Sequence, residues 1–464
     1  MLLRPGRWLV VALALAALIN VGFMVVAMAH GDTLEEAHSA PGLLLSGRLL
    51  DPNGVDSWRT MAAAWLSWKI NGDMYVVFLK QHIKFQYPPS SLLLMPLIQL
   101  PLDGAFRARM TYPACIAVVL TVLCGILLGL RLLWPRDRPM DFRDPTLWCC
   151  ALLIGTLGWL YLPLTMGHSL GQIQVYIGAL AAFGLVANAW DRPLLSGACL
   201  GLCCLLKPQL AIVLIWALLR RQWRMCIGFS AVVAVGLSIS LWKFGLHSHL
   251  QYLEVLQQLG RTGESYGPNQ SVNGVVNRWL ENGPAMKFQS RGFPPYNPIV
   301  YYSTLISSAL LIGLALFAPV AKEVRGRPLD LALMICAATL ASPIAWEHHY
   351  GMFFPVFAIA LPAAMAMGRS GVLLLVSYEL VANMMIRPKI MFASRWVSLL
   401  GSHMFFGGLL LFGLLLWARA RGATAVAPAE ARRSQLQGAT EAPSLRVSGQ
   451  SANPDLHAPR VCAE

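Results

Sequence analysis

Between Trp8 and Ala29 the chain carries no charged residue. A run of that kind has one ready physical solution, a helix crossing a bilayer, because about 20 apolar residues at 1.5 Å each span the hydrocarbon core. A secretory signal has a shorter apolar core, of about 7–15 residues. Ala27-Met28-Ala29 resembles a cleavage site, but the run is read as an uncleaved first span. Similar runs recur along the chain, and only 12% of its 464 residues are charged while 56% are hydrophobic. Soluble domains carry about 25% charged residues, and disordered chains are far less apolar. The fold class is therefore an all-α polytopic membrane protein. Lys and Arg number 36 against 22 Asp and Glu, for a net charge of +14. Short basic loops on one side of a membrane explain that excess without nucleic acid.

Further spans fit about 107–131, 147–164, 171–190, 194–206, 208–220, 223–243, 298–319, 328–344, 350–367, 370–386 and 398–418. With twelve spans, the loops holding Arg131/Arg136/Arg138/Arg143, Arg192, Arg220/Arg221/Arg224, Lys322/Arg325/Arg327, Arg369 and Arg419/Arg421 all fall inside. Both termini are then cytoplasmic. This needs residues 88–102 to be re-entrant or interfacial, and the run 194–220 to break at Lys207-Pro208 into a hairpin. Arg107 and Arg109 are left outside, against the positive-inside rule. The two long loops, 30–106 and 244–297, face outward. Residues 1–418 form the membrane domain, and 419–464, without aromatic residues, reads as a disordered cytoplasmic tail. The ten cysteines have neither disulfide nor metal spacing, and no internal repeat is evident.

Polar residues gather in the outer loops and at outer helix ends. Asp56 precedes Trp58, Met61, Trp65 and Trp68, which share one helix face and suit the headgroup plane. Asp56 caps that helix or serves as a catalytic carboxylate at the membrane surface. Tyr87-Pro88-Pro89 forces an extended turn. Gly171-Gln172 opens a helix whose N–H groups could bind an anion, or simply forms a tight turn. Lys207 costs about 2.5–3.5 kcal/mol at mid-membrane, so it snorkels or meets phosphate beside a new helix start. Tyr266 to Gly274 and Arg278 offer amides and a cation for hydroxyl or phosphate groups. Trp346-Glu347-His348-His349 lacks metal-ligand spacing and suits a proton carrier or phosphate donor, or a helix end with no role.

In this order Asp56, Gly72-Asp73-Met74-Tyr75, Tyr87-Pro88-Pro89, Gly171-Gln172, Gly197…Gly201…Lys207-Pro208, Asn269-Gln270-Ser271 and Ser342-Pro343…Trp346…His348-His349 resemble glycosyltransferase family 87, from about residue 45 to 415. The resemblance implies a GT-C-like bundle in a bacterial inner membrane, with its active site on the periplasmic face. It also implies transfer of a hexose, mannose first among them, from a polyprenyl phosphate to a glycan or glycolipid acceptor. It makes Asp56 the essential carboxylate and either His348 or His349 functionally important. Gln174 departs from the family's usual Gly-Gln-x-Asn. From the residues and the resemblance together, Asp56 is the expected base. Lys207, His348, His349, Arg278 and Gln172 are expected at the donor phosphate, and Tyr87, Asn269, Gln270 and Trp346 in the substrate pocket. No metal, nucleotide or other cofactor is expected. A transporter or flippase for lipid-linked saccharides is the competing class, although it would place polar groups at the bilayer midplane.

Overall fold

A computed structural model describes residues 7–29, 32–33, 39–47, 54–98, 104–134, 142–366, 370–384 and 394–422. Asp51, Arg136, Arg138, Arg369 and most of the expected tail lie outside them. The described chain is helical: α1 Arg7–Ala29, α2 Ala40–Leu45, α3 Asp56–Asn71, α4 Val76–Leu79, α5 Gly104–Leu133, α6 Pro145–Trp159, α7 Leu162–Ser169, α8 Gln174–Ala189 and α9 Pro193–Leu206. There follow α10 Ile212–Leu219, α11 Trp223–Thr262, α12 Val272–Trp279, α13 Pro298–Phe317, α14 Pro328–Leu340, α15 Phe353–Ala366, α16 Ser370–Ala382, α17 Arg395–Leu400 and α18 His403–Ala420. No strand forms among the described residues; isolated bridges join Ile83 to Arg291 and Asn269 to Trp346.

Six segments are long and apolar enough to cross a membrane, and α6 with α7, bent by 47°, makes a seventh. Five more apolar helices run only 10–17 residues, short of a straight crossing. Apolar side chains such as Leu152, Ile306 and Trp242 stand on the outer surface of the bundle, as lipid contact requires.

One end of the bundle is closed by ions. Asp330, fully buried at the start of α14, accepts from Arg220 Nε at 2.7 Å and Arg419 Nη1 at 3.0 Å. Arg419 also donates to the carbonyls of Leu314, Ala315 and Ala318. It was expected in a basic loop, but α18 continues to Ala420 and buries it, because Asp330 and those carbonyls satisfy its donors. Arg327 pairs with Asp191 at 2.6 Å, and Asn188 bonds the Gly326 carbonyl. The α8–α9, α10–α11 and α13–α14 turns therefore share this end. Since α9 leaves it and α10 returns to it, Lys207 between them lies at the opposite end.

The tryptophan stripe does not face lipid. Trp58, Met61 and Trp65 are buried; Trp58 meets Tyr176 edge-on at 6.1 Å, and Trp68 meets Phe244 at 5.0 Å. A one-sided apolar face looks the same in sequence whether lipid or protein covers it. The exposed apolar stripe is instead on α11. Gly245, with φ of 75°, breaks that helix, and beyond it Leu246, Leu250, Leu253 and Leu256 stand exposed on one face. Gln251 bonds Asp73 at 3.0 Å, and Tyr252 stacks on Tyr75. The segment after Pro88 is a nine-residue 3-10 helix, Pro89–Leu97, about 18 Å long at 2 Å per residue. Leu92 and Met95 are buried in it.

Candidate active site

The end opposite Asp330 gathers the polar motifs. Asp56 is placed by a backbone clasp. The Gly54 N–H bonds the Ser169 carbonyl at 3.0 Å, and the Asp56 N–H bonds Leu170 at 3.2 Å. Gly171 has φ of +62°, and a Cβ there would lie 2.1 Å from the Gly54 carbonyl oxygen. The glycine is needed for both the turn and the close approach.

Asp56 is not a cap. Val55 takes the N-cap position with no side-chain bond, and Asp56 is the first helical residue. Its Oδ2 accepts from Gln172 Nε2 at 3.4 Å. Gln172 Oε1 accepts from Ser57 Oγ at 2.6 Å, which lies 2.9 Å from the Tyr87 hydroxyl and accepts the Ile173 N–H. Crowding by neighbouring protein pushes the Asp56 carboxyl above its ordinary value, against the pull of the Arg59 charge and the Gln172 bond. The residue nevertheless remains open to solvent. Burial pushes the Tyr87 hydroxyl up to about 12, so at neutral pH it serves as a hydrogen-bonding group.

The turn at Gly171-Gln172 does not offer a helix N-terminus to an anion. Its N–H groups are taken by His168, Gly167 and Ser57. Gln172 faces the carboxylate rather than a phosphate, since its amide is spent on Asp56 and Ser57.

Lys207 ends α9 and donates from Nζ to Gln174 Oε1 at 2.9 Å. Nε2 of Gln174 and Nε2 of Gln209 are buried donors with no partner. Ser90 Oγ reaches the Leu205 carbonyl and brings the Tyr-Pro-Pro segment to the same tip. His348 and His349 lie in a short 3-10 helix, Glu347–Met352, and both are buried. These two rings lie 4.8 Å apart, nearly perpendicular. His349 Nδ1 accepts the Trp346 N–H at 3.2 Å, which leaves its other nitrogen as the donor. A Cβ on Gly167 would touch His348 Cβ at 3.3 Å. Asp56 and His348 thus both dock on the last turn of α7.

The polar residues of the second long loop bond mainly to the protein's own backbone. Arg278 is buried, donating to the carbonyls of Tyr266 and Asn269 and to Ser402 Oγ at 2.8 Å. Both Nη1 hydrogens are spent on those carbonyls. Asn269 bonds Glu264, Pro343 and Ala345, while Gln270 bonds Gly267, Gly401 and Phe405. Neither lines a pocket, because each is completely enclosed by backbone partners. Trp346 stacks edge-on against Tyr266 and Phe288. Asp73 caps Tyr75 and Val76 and is likewise structural. Among the described residues no His, Cys, Asp or Glu cluster could hold a metal. Ser57 was not singled out from sequence, and its signal is its place beside Asp56; Gln174 was noted only as a departure from the family's usual Asn.

Fold and site together define a multi-pass α-helical membrane protein with a carboxylate, a lysine and two histidines gathered at one end. The model of glycosyltransferase family 87 matches residues 85–343, more than half of the chain, and this protein belongs to that family. It is a membrane glycosyltransferase. Asp56, His348 and His349 lie outside the matched segment, whereas Gln172, Gln174 and Lys207 lie within it. The chain is 25% identical, over 66% of its length and 69% of the relative's, to a polyprenol-phosphate-mannose-dependent alpha-(1-2)-phosphatidylinositol mannoside mannosyltransferase of Mycobacterium tuberculosis (strain ATCC 25618 / H37Rv). It is 26% identical, over 68% and 71%, to the protein of the same description from Mycolicibacterium smegmatis (strain ATCC 700084 / mc(2)155).

Proposed function

We propose that this enzyme moves mannose from a polyprenyl-phosphate donor to a lipid-anchored glycan acceptor on the outer face of the inner membrane. The shorter apolar helices then cross with the longer ones, giving about twelve spans and cytoplasmic termini. The reading rests above all on Asp56. It is an open carboxylate at the lipid–water end of the bundle, oriented by Gln172 and docked on the same helix end as His348. The two relatives' donor and acceptor support it.

The reaction is a single displacement. Asp56 takes the proton of the acceptor hydroxyl as its oxygen bonds the anomeric carbon. The bond from that carbon to the phosphate oxygen breaks, and the configuration inverts. The leaving polyprenyl phosphate departs as an anion and needs no general acid. Lys207 and the histidines stabilise its charge. One carboxylate suffices, unlike the paired acids of glycoside hydrolases. Transfer by purified protein in detergent tests this reading, since an enzyme needs no sealed vesicle and a flippase does. Asp56→Asn, nearly identical in shape, should lose at least about 10²-fold in kcat with normal expression. Near-normal turnover by that variant would remove Asp56 from the chemistry.

A further inference from the structure

α1 and α16 meet over a buried carboxylate that the transfer chemistry does not use. Glu379, on the last turn of α16, is almost fully enclosed, as are Asn20 on α1 and Asn383 just beyond α16. Asn20 stands near the middle of the apolar span Leu9–Ala29. An acidic side chain at that depth is costly and needs a partner. Among the described residues no Lys, Arg or His forms an ion pair with Glu379. Both asparagines serve one of its oxygens instead. Oε2 accepts from Asn383 Nδ2 at 2.8 Å and from Asn20 Nδ2 at 3.3 Å.

Further bonds fix the two amides. Asn20 Nδ2 also donates to the Ala16 carbonyl at 3.0 Å, and Asn383 Nδ2 to the Glu379 carbonyl at 3.2 Å. Turning either amide over would set oxygen against oxygen at both contacts. Asn20 Oδ1, Asn383 Oδ1 and Glu379 Oε1 are thereby left as buried acceptors that no protein donor reaches. Buried polar atoms are nearly always satisfied. A proton on Oε1 would serve that atom and one amide oxygen, leaving the other. A hard cation takes carboxylate and amide oxygens alike, and a single positive charge cancels that of the carboxylate. We propose that Glu379, Asn20 and Asn383 bind a small monovalent cation such as sodium, which clamps α1 to α16. The site shares no residue with the proposed transfer reaction, so the two stand or fall separately.

The test is thermal unfolding of the purified full chain in detergent, with sodium chloride exchanged for N-methylglucamine chloride at constant ionic strength. The Tm of wild type should climb with the logarithm of sodium concentration once the Kd of the site is passed. Glu379→Gln keeps the shape and removes the charge, so its Tm should not respond to sodium. Asn20→Ala should need more sodium for the same rise. Equal unfolding of wild type in the two salts overturns the proposal and makes Glu379 a protonated carboxyl. A sodium response that survives in Glu379→Gln also overturns it, since the ion then binds elsewhere. Equilibrium binding of radioactive sodium to wild type is read alongside and needs no variant to fold. Saturable binding of one ion per chain supports the site, and no saturable binding overturns it.

Discussion

A general base must be ionised before it can take a proton, and at Asp56 two influences set when that happens. Crowding raises its pKa above the ordinary 3.8, while the Arg59 charge lowers it. Protonated Asp56 cannot act, so activity is lost as pH falls through the raised pKa. Arg59→Gln removes the lowering influence. The acid limb of kcat/KM should therefore move to higher pH, while Arg59→Lys leaves it near the wild-type position. A limb that stays in place in Arg59→Gln would assign it to another group. The residues proposed for this chemistry drew notice because charge is costly in so apolar a chain: Asp56, Lys207 and His348 stand out against their surroundings. Ser57 was not legible, since neutral polar side chains are common at helix ends. Arg278, Asn269 and Gln270 misled for a related reason. A polar loop residue that bonds its own backbone and one that bonds a substrate have the same sequence, and only the placing of Tyr266, Pro343 and Gly401 around them tells the two apart.

Among elements, the α7–α8 turn does more than connect helices. It receives the chain at Gly54 and so fixes the first residue of α3. Gly171→Ala would place a methyl 2.1 Å from the Gly54 carbonyl oxygen at a φ of +62°, which an L side chain adopts at about 1–2 kcal/mol. The clasp must widen, and Asp56 moves with it. A displacement of about 1 Å can cost 10²-fold in rate. Gly171→Ala should therefore lose rate by about that factor in single turnover, while its thermal unfolding in detergent moves only modestly. Wild-type turnover would show that the clasp does not position the base. Helix boundaries were readable from apolar runs and prolines. The role of this turn was not, because close approach of two backbones leaves only a glycine as its mark. The tryptophan face failed for the converse reason, as amphipathic periodicity reports that a face is covered without saying by what.

For the whole molecule, the proposed orientation decides which exposed lysines face the outside. Lys287 lies in the loop whose Phe288 packs on Tyr266, and Lys322 lies in the turn beside Arg327. Both are exposed. With Lys287→Cys, an impermeant thiol reagent added to intact cells should label the protein above the native-cysteine background. With Lys322→Cys, labelling should require opened cells. The reverse pattern would turn the molecule over and place the site in the cytoplasm.

The bend at Gly245 has a further consequence for how the enzyme sits in its membrane. In the proposed orientation the leucine stripe beyond it lies in the headgroup layer, and Gln251 and Tyr252 tie that stripe to the loop that follows α3. The carboxylate is thereby referenced to the water–lipid boundary rather than to the bilayer midplane. A thicker or thinner membrane is met by tilting of the spans, while the site keeps station with the surface on which its lipid-borne substrates travel.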